Sequence, residues 1–327
     1  MLKFSSVSSY GLRHSDYRFL ITGASGWLGR SLLEMLVGVF GAEVSDRVIL
    51  CGSTPRTLTC GQGWVLPIHT IADGFALLGK KLALVFHFAF LTKDQVGNMA
   101  EQTYIESNRS IADNVAAGIA AHRVIGVMMA SSGAVYDHFA TAQRDAAANL
   151  YGMLKAEDEQ RFAAACTEVG ARFIAPRIFN ISGPHINKFS AYALSSIIVD
   201  ALQGAPITLQ ANRPVYRSYL HVGDVLELSL RYLLDETEVL PEPFFDTVGD
   251  EVVEVGELAC KVLEVLDCRH LPINRPPLLD GVENRYVGDP VKLRELLRLY
   301  EFELIPLTEQ ILSTATYIQQ TLHLQHG

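Results

Sequence analysis

Cysteine is sparse in this chain. Its five thiols, Cys51, Cys60, Cys166, Cys260 and Cys268, lie far apart, with no C-x-x-C pair and no histidine cluster beside them. The odd count and wide scatter argue against a disulfide scaffold and against a metal site, and point to reduced thiols in a cytoplasmic protein. Basic residues are also in deficit: 27 Lys and Arg stand against 36 Asp and Glu, a formal charge of −9. Such a surface disfavours non-specific binding to nucleic acid or to anionic membrane. Long apolar runs are missing too. The leader MLKFSSVSSYGLRHSDY has no apolar core of signal-peptide length, and VAAGIAAHRVIGVMMA is broken by His122 and Arg123. Neither fits the roughly 20 apolar residues of a membrane span.

Apolar residues as such are plentiful, at 49% of 327 positions, enough for a large core. In the first half they fall in short continuous runs: RFLIT (18–22), RVILC (47–51), LALVFHFA (82–89), VIGVMMAS (124–131) and RFIAPRI (172–178). Continuous rather than alternating apolarity marks strands covered on both faces, as in a parallel sheet. Helical patterns lie between them over Trp27–Val39, Met99–Ala121 and Leu150–Val169. The alternation predicts an α/β fold, a Rossmann-like doubly wound parallel sheet.

Beyond residue 180, Gly and Pro punctuate shorter elements in SGPH, QGAPITLQANRP, LPEPFFD and LPINRPPLLDG. The expected organisation is a leader over 1–17, a domain holding the doubly wound sheet over 18–180, and a smaller mixed α/β lobe over 181–327. That lobe is interleaved with the last elements of the sheet.

The segment FLITGASGWLG runs strand, glycines, amphipathic helix. Glycines spaced this way serve equally as a mere strand-to-helix corner. In this context they also make a phosphate turn: one for the tight bend, one for close approach to a pyrophosphate, one for helix–strand packing. The phosphates would meet the unpaired amides of the helix N-terminus, with Gly23, Ser25, Gly26, Trp27, Leu28 and Gly29 as candidate cofactor contacts. An acidic residue after the second strand would bind the adenosine ribose and favour NAD. Here VILCGSTPR places Cys51, Gly52 and Ser53 there. With no carboxylate to repel a 2′-phosphate, and with Ser53, Thr54 and Arg56 able to bind one, NADP(H) is favoured over NAD(H).

Further on, LYGMLKAEDE sets Tyr151 and Lys155 four residues apart on one helical face. An ammonium near a phenol lowers the phenol pKa toward useful acid/base range. Ser131 and Ser132 end the strand in MMASSGAVYD, where a hydroxyl would hydrogen-bond a reacting oxygen. Taken alone, Y-x-x-x-K reads equally as a surface Tyr and Lys on a helix. In order after the glycine turn and a strand-end serine, the three form a candidate catalytic set: Ser132, Tyr151 and Lys155.

At these residues the chain resembles the extended short-chain dehydrogenase/reductases, in the nucleotide-sugar epimerase/dehydratase branch. TGASGWLG is similar to the family's TGxxGxxG, and HFAF to its H-x-A-A, with Phe90 a departure. SSGAVY and YGMLK are similar to its serine and tyrosine segments. The resemblance implies that Phe88, Ala89, Phe90, Asn108 and Ser131 flank the cofactor. It also makes Asn180 in APRIFNISGP, Arg217 in RSYLHVGDV and Arg285 in NRYVGDPVKLRELL contacts of a nucleotide-sugar substrate. Both arginines suit a diphosphate, which guanidinium forks bind bidentately. A homodimer through the two long helices is implied as well.

The family's 4,6-dehydratases carry an Asp-Glu pair after the serine. Gly133 and Ala134 stand here, so dehydration is disfavoured. The expectation is an NAD(P)-dependent oxidoreductase moving hydride at a sugar carbon, C4 in the family, as 4-keto reductase or 4-epimerase. Two alternatives stay open: a reductase of a non-nucleotide carbonyl substrate, and a catalytically silent dinucleotide-binding sensor or scaffold. Substrate choice is expected in the loops 137–150, 184–192 and 210–217.

Overall fold

The computed structural model describes residues 2–136, 146–279 and 281–325, without the side chains of 62, 146–148 and 323–325. The chain divides into two units: residues 1–178 with 226–245, and residues 179–225 with 246–327.

The first unit is built on a nine-stranded sheet. Its parallel strands are Arg18–Thr22, Val48–Cys51, Val65–His69, Ala83–His87, Val124–Met129 and Arg172–Ile178. Numbered along the chain, they lie side by side in the order 3-2-1-4-5-6. That is the doubly wound order, with its reversal between the first and fourth strands. The strand Arg56–Thr59 adds an antiparallel edge on Val65–His69, and Phe244–Asp246 lies beside Arg172–Ile178 at the other edge.

Burial on both faces explains the continuous apolar runs. Leu20, Ile49, Val85, Val127 and Phe173 pack with Ala112, Val115, Ile119 and Phe162 of the long helices Glu101–Ala121 and Ala146–Val169. Phe19, the neighbour of Leu20, points to the other face and meets Phe40, at the end of the helix Trp27–Phe40. Gly118 lets the helix Glu101–Ala121 come down on Phe75, since a Cβ there would collide with the ring.

The unit also takes in the N-terminal residues that the sequence presents as a leader. Ser6–Arg13 is a helix capped by Ser5, with Ser8 and Leu12 buried. Buried Glu227 accepts from Ser5 N (3.1 Å), Ser5 Oγ and Ser8 Oγ (both 2.7 Å), and pairs with Arg231 at 2.7 Å.

The second unit is mixed α/β. Three small sheets pair Ile181–Ser182 with Leu220–His221, Ile207–Thr208 with Ile273–Asn274, and Val215–Arg217 with both Val253–Glu254 and Asn284–Tyr286. Helices Ala193–Leu202, Val255–Val265, Val291–Leu299 and Leu307–Gln325 complete it. Among the described residues, no helix is long and apolar enough to cross a membrane.

Candidate active site

The glycine turn sits at the sheet's reversal. Gly23 ends the first strand at φ +66°, and a Cβ there would lie 2.7 Å from Ala89 N. A Cβ on Gly29 would lie 2.5 Å from Gly23 O, so the helix is drawn hard against the turn. Gly26 differs: its Cβ position meets only Gly23 O, at 3.3 Å, and it caps the helix Trp27–Phe40 without a side chain. The result is a tight backbone cradle open at a helix N-terminus, which fits a dinucleotide pyrophosphate.

Thr22 ties the two strands of the reversal together. Its hydroxyl accepts from Phe88 N and Ala89 N, both at 3.2 Å, and lies 2.7 Å from His87 Nδ1. With two donors already arriving, the hydroxyl proton goes to His87 Nδ1, which puts the ring proton on Nε2. Burial, with Lys155 nearby, pushes His87 down to about 3, so it stays neutral.

Asn108 is a strut rather than a lining residue. Wholly buried, it accepts from Leu91 N at 2.8 Å and donates to Tyr104 O at 3.2 Å. Thr22 and Asn108 thus fix the backbone of 88–91 from both ends.

Beyond the second strand, Ser53 lies exposed in the turn, and Arg56 begins the antiparallel edge strand. Arg56 Nη2 donates to Ser25 Oγ at 2.7 Å, which brings a guanidinium to the glycine turn. The Cys51 thiol, buried at the strand end, is pushed up to about 12 by desolvation and is chemically inert.

Tyr151, Lys155 and Phe90 form one cluster. Lys155, 5% exposed, donates from Nζ to Ala130 O at 2.8 Å. The Phe90 ring centroid lies 3.8 Å from that Nζ, and the Tyr151 ring meets Phe90 edge-on at 5.4 Å and 89°. Burial lowers the Lys155 ammonium to about 8, against the opposing pull of Asp158 and Glu159.

Gly152 sets Tyr151 in place, because a Cβ there would overlap Ala134 O. The tyrosine's helix can therefore press on the turn that follows Ser131–Ser132. Ser132 Oγ accepts from Ala134 N at 3.2 Å and keeps its own proton to donate.

The sequence reading overlooked the support beneath this cluster. Ser131 Oγ donates to Glu159 Oε1 at 2.5 Å, and Arg177 forks onto Glu159 at 2.9 and 2.7 Å. Arg177 also donates to Tyr136 Oη at 2.9 Å. Glu159 lies one turn after Lys155, which was the available sequence signal; the pairing of Arg177 left none.

In the second unit, Asn180 Nδ2 donates to Tyr286 O at 3.3 Å, and the Arg217 guanidinium lies 6.0 Å from the Tyr286 ring. Arg217 is held by Tyr216 O at 2.8 Å and Asn284 Oδ1 at 2.9 Å, with no carboxylate partner among the described residues, and burial lowers its pKa. Arg285 does not join them. Strand register pairs Tyr216 with Arg285 and Arg217 with Tyr286. Alternation then sends the two arginines to opposite faces of their small sheet. Each guanidinium sits over the tyrosine of the facing strand, Arg285 at 5.4 Å from the Tyr216 ring. The two diphosphate candidates therefore do not share a face of this sheet. Of the expected substrate loops, 137–145 lies outside the described residues.

Known proteins share this architecture. The UDP-N-acetylglucosamine 4-epimerase of Methanobrevibacter ruminantium M1 superposes with a TM-score of 0.70 at 17% identity, over 94% of this chain and 99% of that one. The UDP-glucose 4-epimerase of Thermus thermophilus, solved with NAD, gives 0.66 at 19%, over 92% and 99%. In sequence, a dTDP-4-dehydro-6-deoxy-D-allose reductase of Streptomyces bikiniensis is 30% identical over 157 residues, 46% of this chain and 45% of the relative. The match spans less than half the length of such curated relatives. The NAD dependent epimerase/dehydratase family model covers residues 19–244, through the glycine turn, the serine segment and the Tyr151–Lys155 pair, and the chain belongs to that family.

Proposed function

We propose that this protein is an NADP(H)-dependent oxidoreductase of a nucleotide-diphospho-sugar, acting as a 4-keto reductase. The observation that carries the hydride chemistry is the buried Lys155, fixed on Ala130 O one helical turn from Tyr151. A bound nicotinamide dinucleotide supplies the hydride. Tyr151 Oη moves the hydroxyl proton, Lys155 holds positive charge beside it, and Ser132 Oγ orients the reacting oxygen. Thr22 and Asn108 keep the 88–91 backbone in place as one wall of the cofactor cradle.

The choice of reductase over epimerase rests on Arg56 at Ser25, together with the missing carboxylate after Cys51. This pair suits a 2′-phosphate, and so an exchangeable NADPH consumed by reduction. The curated relatives named as 4-keto sugar reductases point the same way. The epimerase reading keeps the resemblance of SSGAVY to the epimerase serine segment, on a fold shared with a 4-epimerase solved with NAD. In the second unit, Arg217 is our candidate for the substrate diphosphate, with Asn180 beside it. We also propose a cytoplasmic homodimer formed through the helices Glu101–Ala121 and Ala146–Val169, whose alanine-rich faces permit close packing.

The test is to denature the purified protein, identify any released nucleotide, and titrate fresh protein with NADH and NADPH. It is then assayed with a dTDP-4-keto-6-deoxy sugar. An empty site that prefers NADPH and reduces the keto sugar supports the reductase. Stoichiometric, tightly held NAD with interconversion of C4 epimers replaces it with the epimerase.

A further inference from the structure

Phe90 stands where the family's H-x-A-A motif has a small residue, and its ring faces the two groups on which the proposed chemistry depends. Nothing about the local backbone requires an aromatic there. The flanking amides are already held, Phe88 N and Ala89 N by Thr22 and Leu91 N by Asn108. The side chain itself is what touches the site, with its face 3.8 Å from Lys155 Nζ and Tyr151 edge-on at 5.4 Å.

We propose that Phe90 is a positioning residue that holds the Lys155 ammonium in its charged form by a cation–π contact and braces the Tyr151 ring at the same time. The inference rests on the reading of Tyr151 and Lys155 as the proton-transferring pair. A buried ammonium is unstable unless something compensates its lost hydration. Lys155 has a single carbonyl acceptor, Ala130 O, among the hydrogen bonds described.

The charged and titratable groups around it leave room for such a role. On its own helix, Asp158 and Glu159 favour the cation. Asp158 is itself pushed up to about 6 by burial, against the pull of Lys155 and of Arg161, and it also faces Glu157 on its own helix and Asp113 on the neighbouring one. Glu159 is already engaged by Arg177 and Ser131. From the strand Ala83–His87, His87 is neutral. To these the Phe90 ring adds its negative face, which attracts a cation most strongly where water is excluded.

The sign of the effect separates this role from simple shielding. If the ring stabilises the cation, its loss lowers the Lys155 pKa. If the ring only keeps water out, its loss admits water and the pKa rises.

The experiment follows the Lys155 side chain by NMR in the full chain labelled with 13Cε,15Nζ-lysine, without cofactor or sugar, using Lys155→Arg to assign the resonance. Phe90→Leu is expected to move the titration midpoint down by about 0.5–1 pH unit. Phe90→Tyr, which keeps the ring face, is expected to leave it in place. Should Phe90→Leu fail to fold, Phe90→Met carries the same expectation. An unchanged or raised midpoint in the Leu or Met variant overturns the proposal, as does a Tyr variant that shifts equally. Because no substrate is present, failure of the hydride reading leaves this titration unaffected, and the two outcomes are distinguishable.

Discussion

Arg56 and Ser25 are 31 residues apart in sequence and joined by a 2.7 Å hydrogen bond from guanidinium to hydroxyl. Arg56 opens the edge strand soon after Val48–Cys51 ends, and its pairing with Ile68, itself paired with Leu50, holds it at the end of the sheet where the glycine turn lies. An arginine whose partner is a neutral hydroxyl retains its full charge for an anion.

Removing that charge tests the cofactor assignment. Arg56→Ala is expected to weaken NADPH about 10- to 100-fold, the worth of one hydrogen bond to a charged group, while NADH changes little. Fluorescence titration of both nucleotides decides the matter, and equal losses would remove Arg56 from the phosphate site.

Tyr151→Phe removes one oxygen and leaves the Phe90 contact intact. Turnover is expected to fall about 10²- to 10⁴-fold, the range of general acid–base catalysis, with cofactor affinity unchanged. Normal kcat in this variant would sink the catalytic assignment.

Gly152 offers a test of how the helix is seated. Its Cβ position overlaps Ala134 O, a backbone atom rather than the end of a flexible side chain. Gly152→Ala is expected to cost about 1–3 kcal/mol, typical of overpacking, despite the better helix propensity of alanine. Urea unfolding measures it, and a variant as stable as the parent would show that the helix and the serine turn part easily.

The second unit carries its own pH dependence. Glu254 loses hydration on burial, yet the Arg275 fork and the amides of Val215 and Gly256 hold its carboxyl down to about 2. A carboxylate depressed in the folded state stabilises above its unfolded pKa, near about 4.3. That contribution is lost as pH falls from there toward 2. Glu254→Gln is expected to lower Tm at pH 7 and to converge with the parent at about pH 2. A constant difference between the two across that range would contradict the linkage.

Much of this was legible in the sequence. The strands at 18–22, 48–51 and 172–178 announced themselves because both faces are buried. The helices Trp27–Phe40 and Glu101–Ala121 lie within two residues of their expected bounds, whereas Ala146–Val169 starts earlier than the expected Leu150. The hairpin of Arg56–Thr59 and Val65–His69 escaped because both strands alternate, with Leu58, Leu66 and Ile68 buried and Thr57, Thr59, Val65 and Pro67 exposed. The opposite facing of Arg217 and Arg285 was invisible because a single step of register decides it. Asn108 was recognisable as a site residue but not as a strut, since its partners, Leu91 N and Tyr104 O, are backbone groups.

The latch of Glu227 on Ser5 and Ser8 spans more than 200 residues, and the edge strand Phe244–Asp246 reaches its neighbour across a long excursion of its own. A chain emerging from the ribosome therefore has to hold its first 178 residues unfinished. During that interval the edge of Arg172–Ile178 lacks its outer neighbour, and the first helix lacks its anchor. Sheet edges left open in this way are where mispairing begins. The first unit is complete only when the returning segment 226–245 is available, so translation stalled before that segment leaves the sheet edge open.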